Sequence, residues 1–195
     1  MSHLTTQDRT PPVAPAPAHA GVGRASAQVL LVIGLTAAAF GSIMVAALIG
    51  SAIAGIAAVL DARSGILPDR LIVASALPVV ATLIHDGAHG HLAPTSTGIV
   101  LGIVAFAGPL FVAHVISPVA IGFGDVKLAG SLGAAVGLVD PAFALAGVCV
   151  ATGLTAAIGL STRRSVVALG PGLVIGAVVA LVAAHHWSGP VQPWH

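Results

Sequence analysis

Glutamate and tyrosine are absent from this 195-residue chain, and lysine and cysteine each occur once. Charged residues make up only 7% of it, against about a quarter in an ordinary soluble domain. A soluble globule of this size needs far more polar surface than that, so a water-exposed domain is excluded. With 57% hydrophobic residues the chain is not a disordered protein either. One thiol, Cys149 in an apolar run, forms neither an intrachain disulfide nor a four-thiolate zinc site. A net charge of +1 provides no basic surface of the kind that binds nucleic acid. What the chain does have is apolar length, with a mean hydropathy of +1.06. The expected fold is all-α, a polytopic transmembrane bundle of six or seven helices embedded in a lipid bilayer.

Residues 1–24 are rich in Pro, Ala, Thr and His, and Pro11, Pro12, Pro15 and Pro17 oppose regular helix. They predict a disordered tail rather than a signal peptide, because the apolar run begins too late and is too long. Residues 25–60 carry no charge over 36 positions, whereas a single crossing needs roughly 20. That run is one long tilted helix or a tight helical pair, with break points at Gly41, Ser42, Gly50 and Ser51. Further apolar segments are expected at about 71–84, 98–120, 127–139, 141–160 and 166–184; the one at 127–139 is the weakest and glycine-rich, and small side chains let all of them approach closely. Residues 185–195 then form a short tail outside the membrane.

The basic residues fall in alternate breaks. Arg63 and Arg70 occupy the first, Lys127 the break containing Gly122 to Asp125, and Arg163 and Arg164 the last. Residues 85–97 and 139–141, and the end beyond 184, have no Lys or Arg. The positive-inside rule puts the three basic breaks in the cytoplasm. Arg9 and Arg24 suggest that the N-terminal tail lies there too, which favours two crossings in 25–60. The arginines read most simply as topology and headgroup anchors.

This topology sorts the acids. Asp86 and Asp140 face outward and Asp8 is in the tail, leaving Asp61, Asp69 and Asp125 on the cytoplasmic side. Asp69 follows Pro68 and suits a helix N-cap. Asp61 and Asp125 each adjoin a long apolar run, so both carboxyls belong at the membrane–water boundary on different helices. Two carboxyls brought together at a low-dielectric boundary do not both ionise easily; the pair retains one proton. One member then activates water while the other protonates a leaving amine. The same pair also suits a non-enzymatic transporter or channel subunit with a cation or proton site.

The local sequences favour the first chemistry. Asp61-Ala62-Arg63-Ser64-Gly65-Ile66-Leu67-Pro68-Asp69 resembles the first motif of the prepilin peptidases, or type IV leader peptidases, in which an aspartate precedes Leu/Ile-Pro-Asp/Asn by some six residues. Gly122-Phe123-Gly124-Asp125-Val126-Lys127 resembles their second motif, the GxGD signature shared with presenilin-type proteases, here with the Lys of the prepilin branch. Leu169-Gly170-Pro171-Gly172-Leu173 is similar to a third, C-terminal segment, with Leu169 where Phe is usual. The resemblance extends over about residues 45–184.

It implies a catalytic pair of Asp61 and Asp125, no metal or other cofactor, and a prepilin or pseudopilin partner with a hydrophobic N-terminal helix. It places the protein in the cell's inner (plasma) membrane and the cut at its cytoplasmic face. Gly122 and Gly124 are expected to admit a substrate backbone and to permit unusual backbone angles. Lys127 is expected to meet substrate or to bias the protonation of Asp125, Pro68 to shape the first motif, and Gly170 with Pro171 to make a helix break near the site. The zinc-binding CxxC domain of many relatives, which accompanies N-methylation of the product, is missing, so a short, peptidase-only form is expected. The histidines of one outer loop, His85, His89 and His91, with His185, His186 and His195, suit a solvated polar surface better than a closed metal site, though imidazole is a common transition-metal ligand. His114, within an apolar helix, is expected to satisfy a local hydrogen bond.

Overall fold

Among the described residues the apolar runs become six helices. A computed structural model describes residues 43–64, 69–118, 121–162 and 168–187, with 61–64 as backbone only. In chain order the helices are α1 (Ile43–Ser64), α2 (Asp69–Ala88), α3 (Leu92–Ile116), α4 (Phe123–Val139), α5 (Ala144–Thr162) and α6 (Gly170–Trp187), with a single 3-10 turn, Pro141–Phe143, before α5. All regular structure among the described residues is helical. Among the described residues five helices are long and apolar enough to cross a membrane, all of the six except α4. The protein is therefore a multi-pass membrane protein, and the expected all-α bundle is the one observed. The expected tail at 1–24 and the choice between one and two crossings, which turns on residues 25–42, lie outside the described residues.

The helix boundaries differ from the hydropathy limits for identifiable reasons. α2 is longer than 71–84 because Asp69 opens its first turn, where a negative charge suits the helix dipole. At its other end the amide of His91 bonds to the carbonyl of Asp86 at 2.8 Å and that of Gly90 to Gly87 at 3.4 Å. Gly90 has a φ of 84°. This is a Schellman end, which glycine adopts without a Cβ penalty. The outer loop expected at 85–97 thus shrinks to three residues between Ala88 and Leu92. α3 starts earlier than 98, since Pro94 in its first turn gives up an amide that has no helical partner anyway. It stops at Ile116 because Pro118 biases Ser117 out of the helical region, and Ser117 has φ −144° and ψ 82°. α6 runs three residues past the expected limit of 184.

α4 is the centre of the bundle. It packs against α1, α2, α3 and α6, while the outer helices follow one another around it in the order α2, α1, α6, α5, α3. At 17 residues it is the shortest helix, about 26 Å at 1.5 Å per residue. Every residue from 132 to 139 on it is buried. Since lipid is as apolar as leucine, burial of oily surface does not pull helices together in a bilayer; close packing and interhelical hydrogen bonds do. The α3–α4 seam shows the packing part. A Cβ on Gly98 would fall 2.7 Å from the carbonyl oxygen of Gly137, and one on Gly102 would fall 2.6 Å from the Gly137 Cα. The two backbones are in contact, a distance that only glycine allows. Phe106, fully buried, fills the space left by Gly133 of α4 and Gly147 of α5.

Ser75 and Ser131 supply the polar part. The Ser75 hydroxyl donates to the Ile72 carbonyl at 2.7 Å, so the 2.6 Å contact between the two serines uses the proton of Ser131. It ties α4 to α2 in the interior, where a hydroxyl without a partner is costly.

Candidate active site

One end of the bundle collects the C-termini of α1, α3 and α5 with the N-termini of α2, α4 and α6. The contacts are specific. Gly170, the first residue of α6, has Ala58 of α1 and Leu128 of α4 against it; a Cβ there would lie 3.2 Å from the Ala58 Cβ and 3.6 Å from Leu128 Cδ2. Lys127 of α4 reaches Asp69 of α2, Nζ to Oδ1, at 2.9 Å. His114 in the last turn of α3 bonds the carbonyl of Ile121, just ahead of α4, at 2.7 Å.

The junction at Gly170 relates the two candidate aspartates. Asp61 follows Ala58 by three residues on α1, and Asp125 precedes Leu128 by three on α4. Three residues advance a helix by about 4.5 Å and turn it back to within about 60° of the same face. α1 runs toward this end and α4 away from it. Both aspartate positions therefore lie one turn beyond the junction, in the same direction, on neighbouring helices. The side chain of Asp61 is outside the described residues, as is Pro68.

Asp125 is half-buried in the first turn of α4, the third residue after the cap Gly122. The expectation that Gly122 to Lys127 form a loop before a helix at 127 is corrected: the helix starts at Phe123. Its cap, Gly122, is extended at φ −66° and ψ 145°, and the Asp125 amide bonds the Gly122 carbonyl at 3.1 Å. A Cβ on Gly122 would lie 3.9 Å from Asp125 Oδ2, so the carboxyl folds back over its own cap. The positive end of the helix dipole favours a negative charge there. Unusual backbone angles are not used: any residue adopts those of Gly122, Gly124 lies within the helix, and Gly90 is the only glycine of positive φ among the described residues. What Gly122 provides is open space: it is exposed, and among the described residues only the carboxyl of Asp125 would come within 4 Å of a Cβ there.

Lys127 does not share a face with Asp125, because residues two apart on a helix point to nearly opposite sides. Its ammonium sits between the Asp69 carboxylate and the Phe123 ring, 5.5 Å from the ring centroid. Asp69 is thus engaged across 58 residues of sequence rather than as a local cap, a pairing no local pattern announces. Gly170 and Pro171 begin a helix instead of breaking one, with Pro171 in the first turn where it is tolerated. Beside them a groove of about 510 Å³ opens between α1 and α6, lined by Gly55, Val59, Leu60, Pro171, Val174 and Ile175 among others. Its lining is almost wholly apolar, and it ends at the residues adjoining Asp61 and Gly170.

The histidines expected outside, of which His195 falls beyond the described residues, lie at the end opposite His114 and the two aspartate positions. The rings of His85 and His89 stack at 4.3 Å, with His89 Nδ1 bonded to the His85 carbonyl at 2.7 Å. Among the described residues no three metal-ligating side chains converge.

The chain gives no match to a curated protein or to a solved structure. A family model does match, over residues 47–158. That span includes Asp61, Pro68, Gly122, Gly124, Asp125 and Lys127 and stops short of Gly170 and Pro171. It covers more than half of the chain and both aspartate motifs, and on that basis the chain belongs to the type IV leader peptidase family, a family of peptidases.

Proposed function

We propose that this protein is a membrane-embedded aspartic endopeptidase that removes the leader from prepilin-like substrates at the cytoplasmic face of the inner membrane. The observation that carries the proposal is the shared position of Asp61 and Asp125, one turn beyond the Gly170–Ala58–Leu128 contact on adjacent helices. The cytoplasmic assignment rests on the sequence, in which Arg63, Arg70, Lys127, Arg163 and Arg164 all fall in alternate breaks between apolar runs.

The chemistry needs one carboxylate and one carboxylic acid. The carboxylate accepts a proton from water as the water oxygen adds to the scissile carbonyl carbon. The acid gives its proton to the carbonyl oxygen, which yields a neutral gem-diol. In the second step a proton passes to the amide nitrogen, the C–N bond breaks, and a diol hydroxyl returns its proton to a carboxylate. No covalent enzyme intermediate forms. Gly122 leaves the approach to Asp125 open to an extended backbone, and the α1–α6 groove offers the substrate's apolar helix a path that ends beside Asp61.

Co-expression with a tagged prepilin tests this. A leader-sized shift of the substrate is expected with the native chain. It should vanish in Asp61→Asn and in Asp125→Asn, with each variant still inserted in the membrane. Cleavage retained in both would overturn the assignment.

A further inference from the structure

We propose that His114 is a positioning residue that holds the start of α4, and so Asp125, in its working place. The inference rests on the reading of Asp125 as one of the two carboxyls of a peptidase. His114 stands in the last turn of α3, half-buried, and its Nδ1 lies 2.7 Å from the Ile121 carbonyl oxygen. A carbonyl only accepts, so Nδ1 carries the proton, whatever the state of Nε2. The peptide group held in this way joins Ile121 to Gly122, the cap of α4. Its orientation sets the angle at which the chain enters the helix, and Asp125 follows three residues later.

The hold has a second point. The rings of His114 and Phe123 are 5.5 Å apart between centroids, inclined at 43°. Phe123 is the first residue of α4, and its other neighbour is the Lys127 ammonium, 5.5 Å from the ring centroid, which in turn meets Asp69. The first turn of α4 is thus bracketed from α3 on one side and α2 on the other. Helix ends fray unless held, and a fraying first turn would move the Asp125 carboxyl relative to α1. Among the described residues of the connection from α3, the Ile121 amide bonds the Ser117 carbonyl at a long 3.3 Å, a weak hold beside the 2.7 Å bond from His114.

Three substitutions separate the hydrogen bond from the ring. His114→Asn returns an amide donor close to the Nδ1 position, His114→Phe returns a ring without a donor, and His114→Ala returns neither. Each is purified in detergent and assayed on a prepilin with a basic leader and an apolar helix. Backbone amide exchange at Asp125 and Val126 is measured in parallel. For His114→Ala the expectation is a kcat lower by about tenfold or more with KM nearly unchanged, since sub-ångström misplacement acts on the reacting geometry. Amide exchange should quicken in the same variant. His114→Asn should recover most of both, and His114→Phe should not. A wild-type kcat and exchange rate in His114→Ala would overturn the proposal, as would recovery by Phe but not by Asn, or a change confined to KM. If His114→Ala fails to fold, the comparison of Asn with Phe still decides. If the native chain cleaves no such substrate, the proposed function fails, and the exchange arm alone judges the positioning role.

Discussion

The α3–α4 seam predicts a large penalty for a single added methyl group at Gly102. A Cβ there would lie 2.6 Å from the Gly137 Cα and 2.8 Å from the Gly137 nitrogen, and still closer to the Gly133 carbonyl oxygen. Carbon atoms pack at about 3.5–4.0 Å, so the overlap is about 1 Å. All three obstructing atoms are main chain and none rotates away. The helices must part, and a gap of about 0.5–1 Å forfeits a quarter to a half of each contact along the seam. Overpacking of this sort typically costs about 1–3 kcal/mol; with only backbone to yield, Gly102→Ala belongs at about 3 kcal/mol. Gly153 of α5 is the control, because nothing lies within 4 Å of its added Cβ. Gly153→Ala should be neutral or gain about 0.5–1 kcal/mol from helix propensity. Both are measured by titrating the folded protein in mixed micelles with SDS and following helicity. A Gly102→Ala variant within about 0.5 kcal/mol of the native chain would refute the seam, for that methyl is too small to account for such tolerance by rearrangement elsewhere.

Two further outcomes concern the site. Gly170→Ala needs α1 to retreat by a few tenths of an ångström from a Cβ 3.2 Å from that of Ala58, and Gly170→Val needs more. Cleavage should slow by about threefold in the first and about tenfold or more in the second, read as initial rates on a prepilin; a wild-type rate in Gly170→Val would show that this contact does not set the spacing of α1 and α4. An added Cβ on Gly55 would point at Val174 across the α1–α6 groove, 3.4 Å from its Cγ1. Gly55→Phe should therefore raise KM for full-length prepilin while sparing a short soluble peptide that spans the cut, and equal loss on both would remove the groove as the substrate's path.

Much of the fold was legible because a bilayer leaves few choices. Apolar runs must be helices, and a chain with so few charges reveals where each helix surfaces. The errors fell at the ends, where hydropathy is silent and backbone chemistry decides. The Schellman turn at Gly90 turned an expected polar loop into three residues, and Pro118 ended α3 before its apolar run did. Asp61 and Asp125 could be singled out in sequence because charge is costly in a membrane and the two motifs surround them. Their common height in the bundle was legible only as alternation of crossings. The partners of Lys127 and His114 were not legible at all. Asp69 is 58 residues from Lys127, and nothing around His114 signals that it serves the carbonyl of Ile121 rather than its own helix.

The weakest segment by hydropathy proves to be the central one, and the reason is physical. An outer helix meets lipid and must be oily. A helix surrounded by four others meets backbone and must be thin. α4 has glycine at 124, 130, 133 and 137, and two of these touch the main chain of α3. Every such glycine lowers the apolar signal and shortens the distance to a neighbour. A stout, leucine-rich α4 would read better as a membrane span and would hold α1 and α3 farther away. The position of Asp125 relative to α1 therefore depends on the small residues that made its helix hardest to see. In a chain of this kind a faint, glycine-rich run that opens on a lone acid is a better guide to the candidate site than the strongest hydrophobic peak.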